Sequence, residues 1–153
     1  MLIKIGIAII CLLIFWQDIR MRAIYWVLFP LLFGLGWFGF QQTVTPNELL
    51  FSLSILIVLL LALTIYLSIK NGRIVNMTKG FFCWGDVLFL LSALPFFTAQ
   101  NYLYFFTGGT IIVLLTHFIT SLLTKKDTIP YAGYMALILL FNVLTGMNVY
   151  SVL

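Results

Sequence analysis

The sequence predicts an all-α integral membrane protein: a bundle of about six transmembrane helices with both termini on the non-cytoplasmic side, folded as a single domain over residues 1–153. Three observations carry this expectation. Hydrophobic residues make up 63% of the chain and charged residues 8%, with a mean hydropathy of +1.18, which describes a chain dissolved in lipid. The apolar residues come in continuous runs without the alternation of a barrel strand, and lipid cannot hydrogen-bond exposed backbone, so the runs must be helices. The cations, finally, fall in alternate loops.

Six runs approach the roughly 17 to 25 residues that cross a bilayer: 2–17, 23–41, 49–69, 86–99, 101–122 and 130–150. The first resembles the apolar part of a signal peptide, but no small-residue cleavage pattern precedes Asp18, and it reads as a retained helix. The second contains Pro30, expected to kink it, and Gly34-Leu35-Gly36-Trp37-Phe38-Gly39. That stretch spells a dinucleotide fingerprint, but no strand precedes it, so close helix packing explains its glycines better. The third run follows a polar loop, Gln41 to Glu48, that has no Lys or Arg. At roughly 1.5 Å per residue the fourth covers only some 21 Å of a hydrocarbon layer near 30 Å, so it must begin earlier, near Phe81, or lie partly inside the bundle. Pro95 is expected to kink it. Ala99, Gln100 and Asn101 are the only break before the fifth run, which predicts a tight antiparallel hairpin. His117, inside the fifth run, has no second histidine or acid at ligand spacing and reads as a packing residue.

Arg20 and Arg22 follow the first run, Lys70, Arg73 and Lys79 the third, and Lys125 and Lys126 the fifth. The positive-inside rule therefore places these loops in the cytoplasm, with Lys4 the one cation on the other side. Loop bias accounts for the net charge of +4, so membrane lipid is the expected partner and nucleic acid is not. The tryptophans and tyrosines near run ends, among them Trp16, Tyr25, Trp26, Trp37 and Trp84, read as interfacial anchors. Asn76-Met77-Thr78 matches a glycosylation acceptor, but on a cytoplasmic loop it is a chance match. Cys11 and Cys83 have neither the number nor the spacing for a zinc site or a disulfide framework, and no metal or other cofactor is expected.

The chain has only four acids, and under this topology Asp18, Asp86 and Asp127 share the cytoplasmic face while Glu48 lies opposite. Asp18 and Asp86 each stand where an apolar run meets a basic segment. The residues around them carry a resemblance. Asp18-Ile19-Arg20-Met21-Arg22-Ala23-Ile24 resembles the D-x-R-x-x-x-I segment after the first aspartate of type IV prepilin peptidases, and Cys83-Trp84-Gly85-Asp86-Val87 resembles the G-x-G-D-V segment that holds the second. Ile129-Pro130-Tyr131-Ala132-Gly133-Tyr134-Met135-Ala136 is similar to the I-P-F-G-P-F-L-A start of that family's last helix. Departures accompany the match: Tyr25-Trp26 replaces P-N, Cys83 replaces the first glycine, and Leu88 stands where a lysine is frequent. The cysteine-rich insert and methyl-transfer region of the longer members are missing, so the resemblance is to a short, peptidase-only form.

The resemblance implies a membrane aspartic endopeptidase that removes the basic leader of prepilin or pseudopilin-like proteins at the cytoplasmic face of the inner (plasma) membrane. Asp18 and Asp86 would be catalytic, with Gly85, Arg20 and Pro130 as motif support. The residue types suit that chemistry, because two carboxylates holding one water can hydrolyse an amide, one as base and one as acid. Gly85 would leave room beside the scissile peptide.

Plainer roles exist for each residue. Asp86 can cap a helix, Asp18 can pair with Arg22 on one helical face, and Arg20 and Arg22 can serve as topology determinants. A presenilin-like intramembrane protease also carries G-x-G-D, but its aspartates lie well inside helices. The alternative from another class is a catalytically inactive helical membrane protein of the same descent, an assembly factor or small transporter subunit.

Overall fold

The computed structural model describes residues 2–40, 44–71, 83–124 and 129–145. Among these residues six α-helices run in order, α1 (Leu2–Met21), α2 (Leu28–Phe40), α3 (Pro46–Asn71), α4 (Trp84–Ser92), α5 (Ala99–Thr124) and α6 (Tyr131–Thr145), with a 3-10 turn (Leu94–Phe96) between α4 and α5. The described residues contain no strand. Among the described residues, three helices are long and apolar enough to cross a membrane, over Leu2–Met21, Pro46–Lys70 and Ala99–Thr120. The 20 residues of α1 rise about 30 Å, the thickness of a hydrocarbon layer. The other three are shorter: α2 has 13 residues, α4 has 9 and α6 has 15. Arg73, Lys79, Lys125, Lys126, Asp127 and the Asn76-Met77-Thr78 match lie outside the described residues.

The second and fourth runs fold differently from expectation, for local reasons. Arg22 adopts φ 53°, a left-handed conformation that ends α1, and the Tyr25 amide donates to Gln17 Oε1 at 3.1 Å. The chain therefore cannot turn helical again until Leu28, five residues after the run begins. Pro30 then falls in the first turn of α2, where the missing N–H has no helical partner to lose, so it produces no break in the helix. Pro95 acts in the opposite way. Helix α4 stops at Ser92, Pro95 opens the 3-10 turn, Phe97 is extended, and α5 starts afresh from Thr98, whose carbonyl accepts from the Tyr102 amide at 2.8 Å. The break thus lies before Ala99, and the expected tight hairpin is replaced by a divergence in which α4 rests on α2 and α6 while α5 pairs with α3 and α6. Tyr102 links the two by donating its buried hydroxyl to the Leu90 carbonyl at 3.0 Å.

Helix α6 is the hub, packed most extensively on α1 and also on α4 and α5. The facing surfaces are small or flexible: Ala132, Gly133, Met135, Ala136 and Leu139 of α6 are buried against neighbours such as Ile7, Cys11 and Ile14 of α1. Small residues let membrane helices approach closely, and the Gly-rich stretch of α2 does the same. A Cβ at Gly36 would stand 2.5 Å from Phe96, and one at Gly39 would stand 3.1 Å from Ile3, whereas Gly34 faces open space.

Candidate paired-carboxylate site

The two aspartates arrive at one place because each prolongs a buried helical stripe. On α1 that stripe is Ile7, Ile10, Cys11, Ile14, Gln17 and Asp18, at the three- and four-residue spacing of one helix face. On α4 it is Asp86, Phe89 and Leu90. The apolar members place the faces against the bundle, and the acids follow. Asp18, in the last turn of α1, and Asp86, in the first turn of α4, are each only 8% exposed. A carboxylate that far from water requires hydrogen-bond partners.

Backbone amides supply them. Asp86 stands at the third position of α4, and its Oδ2 accepts from the Cys83 amide at 2.9 Å, the reach-back half of a capping box. Its Oδ1 accepts from the Ala132 amide at 3.1 Å. Asp18 Oδ2 accepts from the next amide along, that of Gly133, at 2.7 Å. Both donors belong to the first turn of α6, whose helical bonding begins with Tyr134 N–H to the Pro130 carbonyl at 3.2 Å. Pro130 therefore occupies the capping position without a side chain able to accept. The second and third amides of α6, left open by Pro130, are filled by acids from two other helices. The positive end of the α6 dipole favours the same arrangement. Because successive amides are closer than the 3.8 Å between successive Cα atoms, α6 holds the two carboxylates side by side.

The surroundings add charge and shape. The charge of Asp18 acts on Asp86, and Arg22 exerts an attraction on both acids. Tyr131, buried at the head of α6, shares a 3.0 Å hydrogen bond with Thr110 of α5. Thr110 gives its own hydrogen to the Phe106 carbonyl at 2.6 Å, so Tyr131 is the donor of that pair. Cys83 is an exposed residue just outside α4. Desolvation of its sulfur, then the charges of Asp86 and Asp18, push its thiol above its ordinary range, with Arg22 opposing.

The motif residues occupy distinct places. Gly85 faces open space except for Ile24, whose Cδ1 would be an ordinary 3.7 Å from an added Cβ. Pro130 is buried at the start of α6. Arg20 is exposed and stacks over the Trp16 ring at 5.4 Å, an anchoring contact of its own on α1. Tyr25, Trp26 and Trp84 are more than two-thirds exposed at the acid-bearing end. Glu48 belongs to another junction, where its Oε2 accepts from the Ala99 amide at 2.9 Å and ties α3 to the start of α5.

Sequence reasoning did not find Ala132 and Gly133 as donors, nor Gln17 as the brace of the loop after α1. Gln17 had only the signal of its type, a hydrogen-bonding side chain at the end of an apolar run. Ala132 and Gly133 contribute only main-chain atoms and had none. Among the described residues no group of three or more His, Cys, Asp or Glu is placed to hold a metal ion. Comparison with known proteins finds no matching family model, curated protein or solved structure.

Proposed function

We propose that this chain is a multi-pass membrane aspartic endopeptidase of the prepilin-peptidase kind, acting with Asp18 and Asp86 on the basic leader of a prepilin-like or pseudopilin-like substrate. In this reading the acid-bearing end of the bundle is the cytoplasmic face of the plasma membrane, and the short helices complete a six-span bundle with both termini on the other side. One observation carries it: two carboxylates, distant in sequence and both buried, are held on adjacent amides of one helical turn.

That arrangement suits amide hydrolysis. Two anions so close and so dry resist ionising together, and a shared proton leaves one base and one acid. The ionised carboxylate takes a proton from a water held between the pair, and the water oxygen bonds to the peptide carbonyl carbon. The protonated partner hydrogen-bonds the carbonyl oxygen as charge develops there. As the C–N bond breaks, a carboxyl proton passes to the leaving amine, and the pair returns to a single shared proton. Gly85 leaves the approach to Asp86 free of side-chain bulk.

A second reading has its own support, since the same bonds make Asp18 and Asp86 caps of α6, which a catalytically inactive helical membrane protein would also use. Asparagine separates the two. Its carbonyl oxygen still accepts an amide hydrogen, but it cannot exchange a proton. The peptidase reading expects Asp18→Asn and Asp86→Asn each to lose at least about 100-fold in processing of a co-expressed prepilin-like substrate while still accumulating in the membrane. Full processing by both variants sinks it.

A further inference from the structure

We infer that Gly133 is a positioning residue for the paired carboxylates, setting how closely Asp18 approaches Asp86 through both its N–H and its lack of a side chain; the inference rests on the peptidase reading for its catalytic meaning. The N–H holds Asp18 Oδ2 at 2.7 Å, next to the Ala132 amide that holds Asp86 Oδ1 at 3.1 Å. The missing side chain matters as much. A Cβ on Gly133 would stand 3.1 Å from both Asp18 Cβ and Asp18 Oδ2, and 3.5 Å from the Phe15 Cα. The Phe15 Cα is at ordinary contact distance, but Asp18 Cβ is fixed to α1 and Asp18 Oδ2 is the atom bonded to the Gly133 N–H, so relief requires α1 or the Asp18 carboxylate to give by a few tenths of an ångström. The turn itself is braced, because Tyr131 is bonded to Thr110 of α5. Gly133 thus converts the packing of α1 on α6 into a fixed carboxylate spacing.

The test is Gly133→Ala, with Gly108→Ala, which faces open space on α5, as the control for losing a glycine. Alanine is the better helix former, so the helix itself does not suffer from either change. Displacing Asp18 by a fraction of an ångström to an ångström is expected to lower processing by up to about 100-fold in Gly133→Ala, with Gly108→Ala unchanged. A second readout needs no peptidase activity. Alkylation of Cys83, followed on the Cys83 peptide while Cys11 stays buried, reports the negative charge beside that thiol. A carboxylate moved off the Gly133 N–H acts less on that thiol, so the alkylation midpoint should fall from the parental pH toward that of Asp18→Asn. An unchanged midpoint in Gly133→Ala, where Asp18→Asn shifts it, overturns the inference. A shifted midpoint with processing absent even from the parent upholds the positioning role while rejecting the peptidase. If Gly133→Ala lowers the melting temperature, that loss should be smaller in an Asp18→Gly background, which removes both the Cβ and the Oδ2 contacts; an equal loss in both backgrounds overturns the coupling.

Discussion

Asp86 should matter more to folding than Asp18, and the difference can be worked from their partners. The Asp86 carboxylate fills two amides with its two oxygens, Cys83 N–H and Ala132 N–H, whereas Asp18 fills one, Gly133 N–H. Leaving a buried donor unpaired costs about 1–3 kcal/mol. Asp86→Ala therefore leaves the buried Ala132 amide unpaired, about 1–3 kcal/mol, and also loses the bond to the part-buried Cys83 amide, about 1 kcal/mol more, whereas Asp18→Ala leaves only the Gly133 amide unpaired. Asparagine has a single acceptor oxygen, so Asp86→Asn should still lose one bond, about 1–3 kcal/mol, and its NH2 group would face the other donor. Asp18→Asn keeps its one bond. Asp18→Asn should therefore stay near the parent. Thermal unfolding of the four variants in one detergent, read by circular dichroism, should rank Asp86→Ala lowest and Asp18→Asn nearest the parent. With roughly 2–4 °C per kcal/mol for a chain of this size, the extremes should differ by several degrees or more. If Asp86→Ala melts with the parent, the trans-capping of α6 is wrong.

Gly36→Ala should destabilise by about 1–3 kcal/mol, because its Cβ would meet the Phe96 ring at 2.5 Å and that ring is itself held against Phe40 at 5.4 Å; Gly34→Ala, facing open space, should be neutral or slightly stabilising in the same melting experiment. Glu48→Ala should cost about 1–3 kcal/mol by orphaning the Ala99 amide, while Glu48→Gln, which keeps an acceptor oxygen, should recover most of it; equal melting temperatures for the two would remove Glu48 from the α3–α5 junction.

How far residues alone could lead depended on whether a feature was local. Asp18 could be placed at a helix end, because it stands where an apolar run meets a basic segment; that it faces inward was not legible, since the run is apolar on every face and Ile9, Leu12 and Leu13 are exposed where Ile7, Cys11 and Ile14 are buried. Asp86 could be placed in a first turn because Gly85 and the apolar run after it announce a helix start. The shortening of α2 was not legible, since hydropathy does not record that Gln17 captures the Tyr25 amide and holds the chain out of helix. Nor was the divergence of α4 from α5, because an apolar run looks the same whether Pro95 bends it or ends it.

Composition and run length determined that the chain is helical and apolar enough for lipid, and residue type determined which two acids stand at helix ends. The tertiary structure decided that both acids finish on one turn of α6. The physical reason is that the receptor is main chain: amides at Ala132 and Gly133, 46 and 115 residues from their partners, opened by a proline that cannot cap and approached only because glycine has no side chain. Backbone donors leave no mark in the pattern of residue types, so only the packing of α1 and α4 on α6 could disclose them.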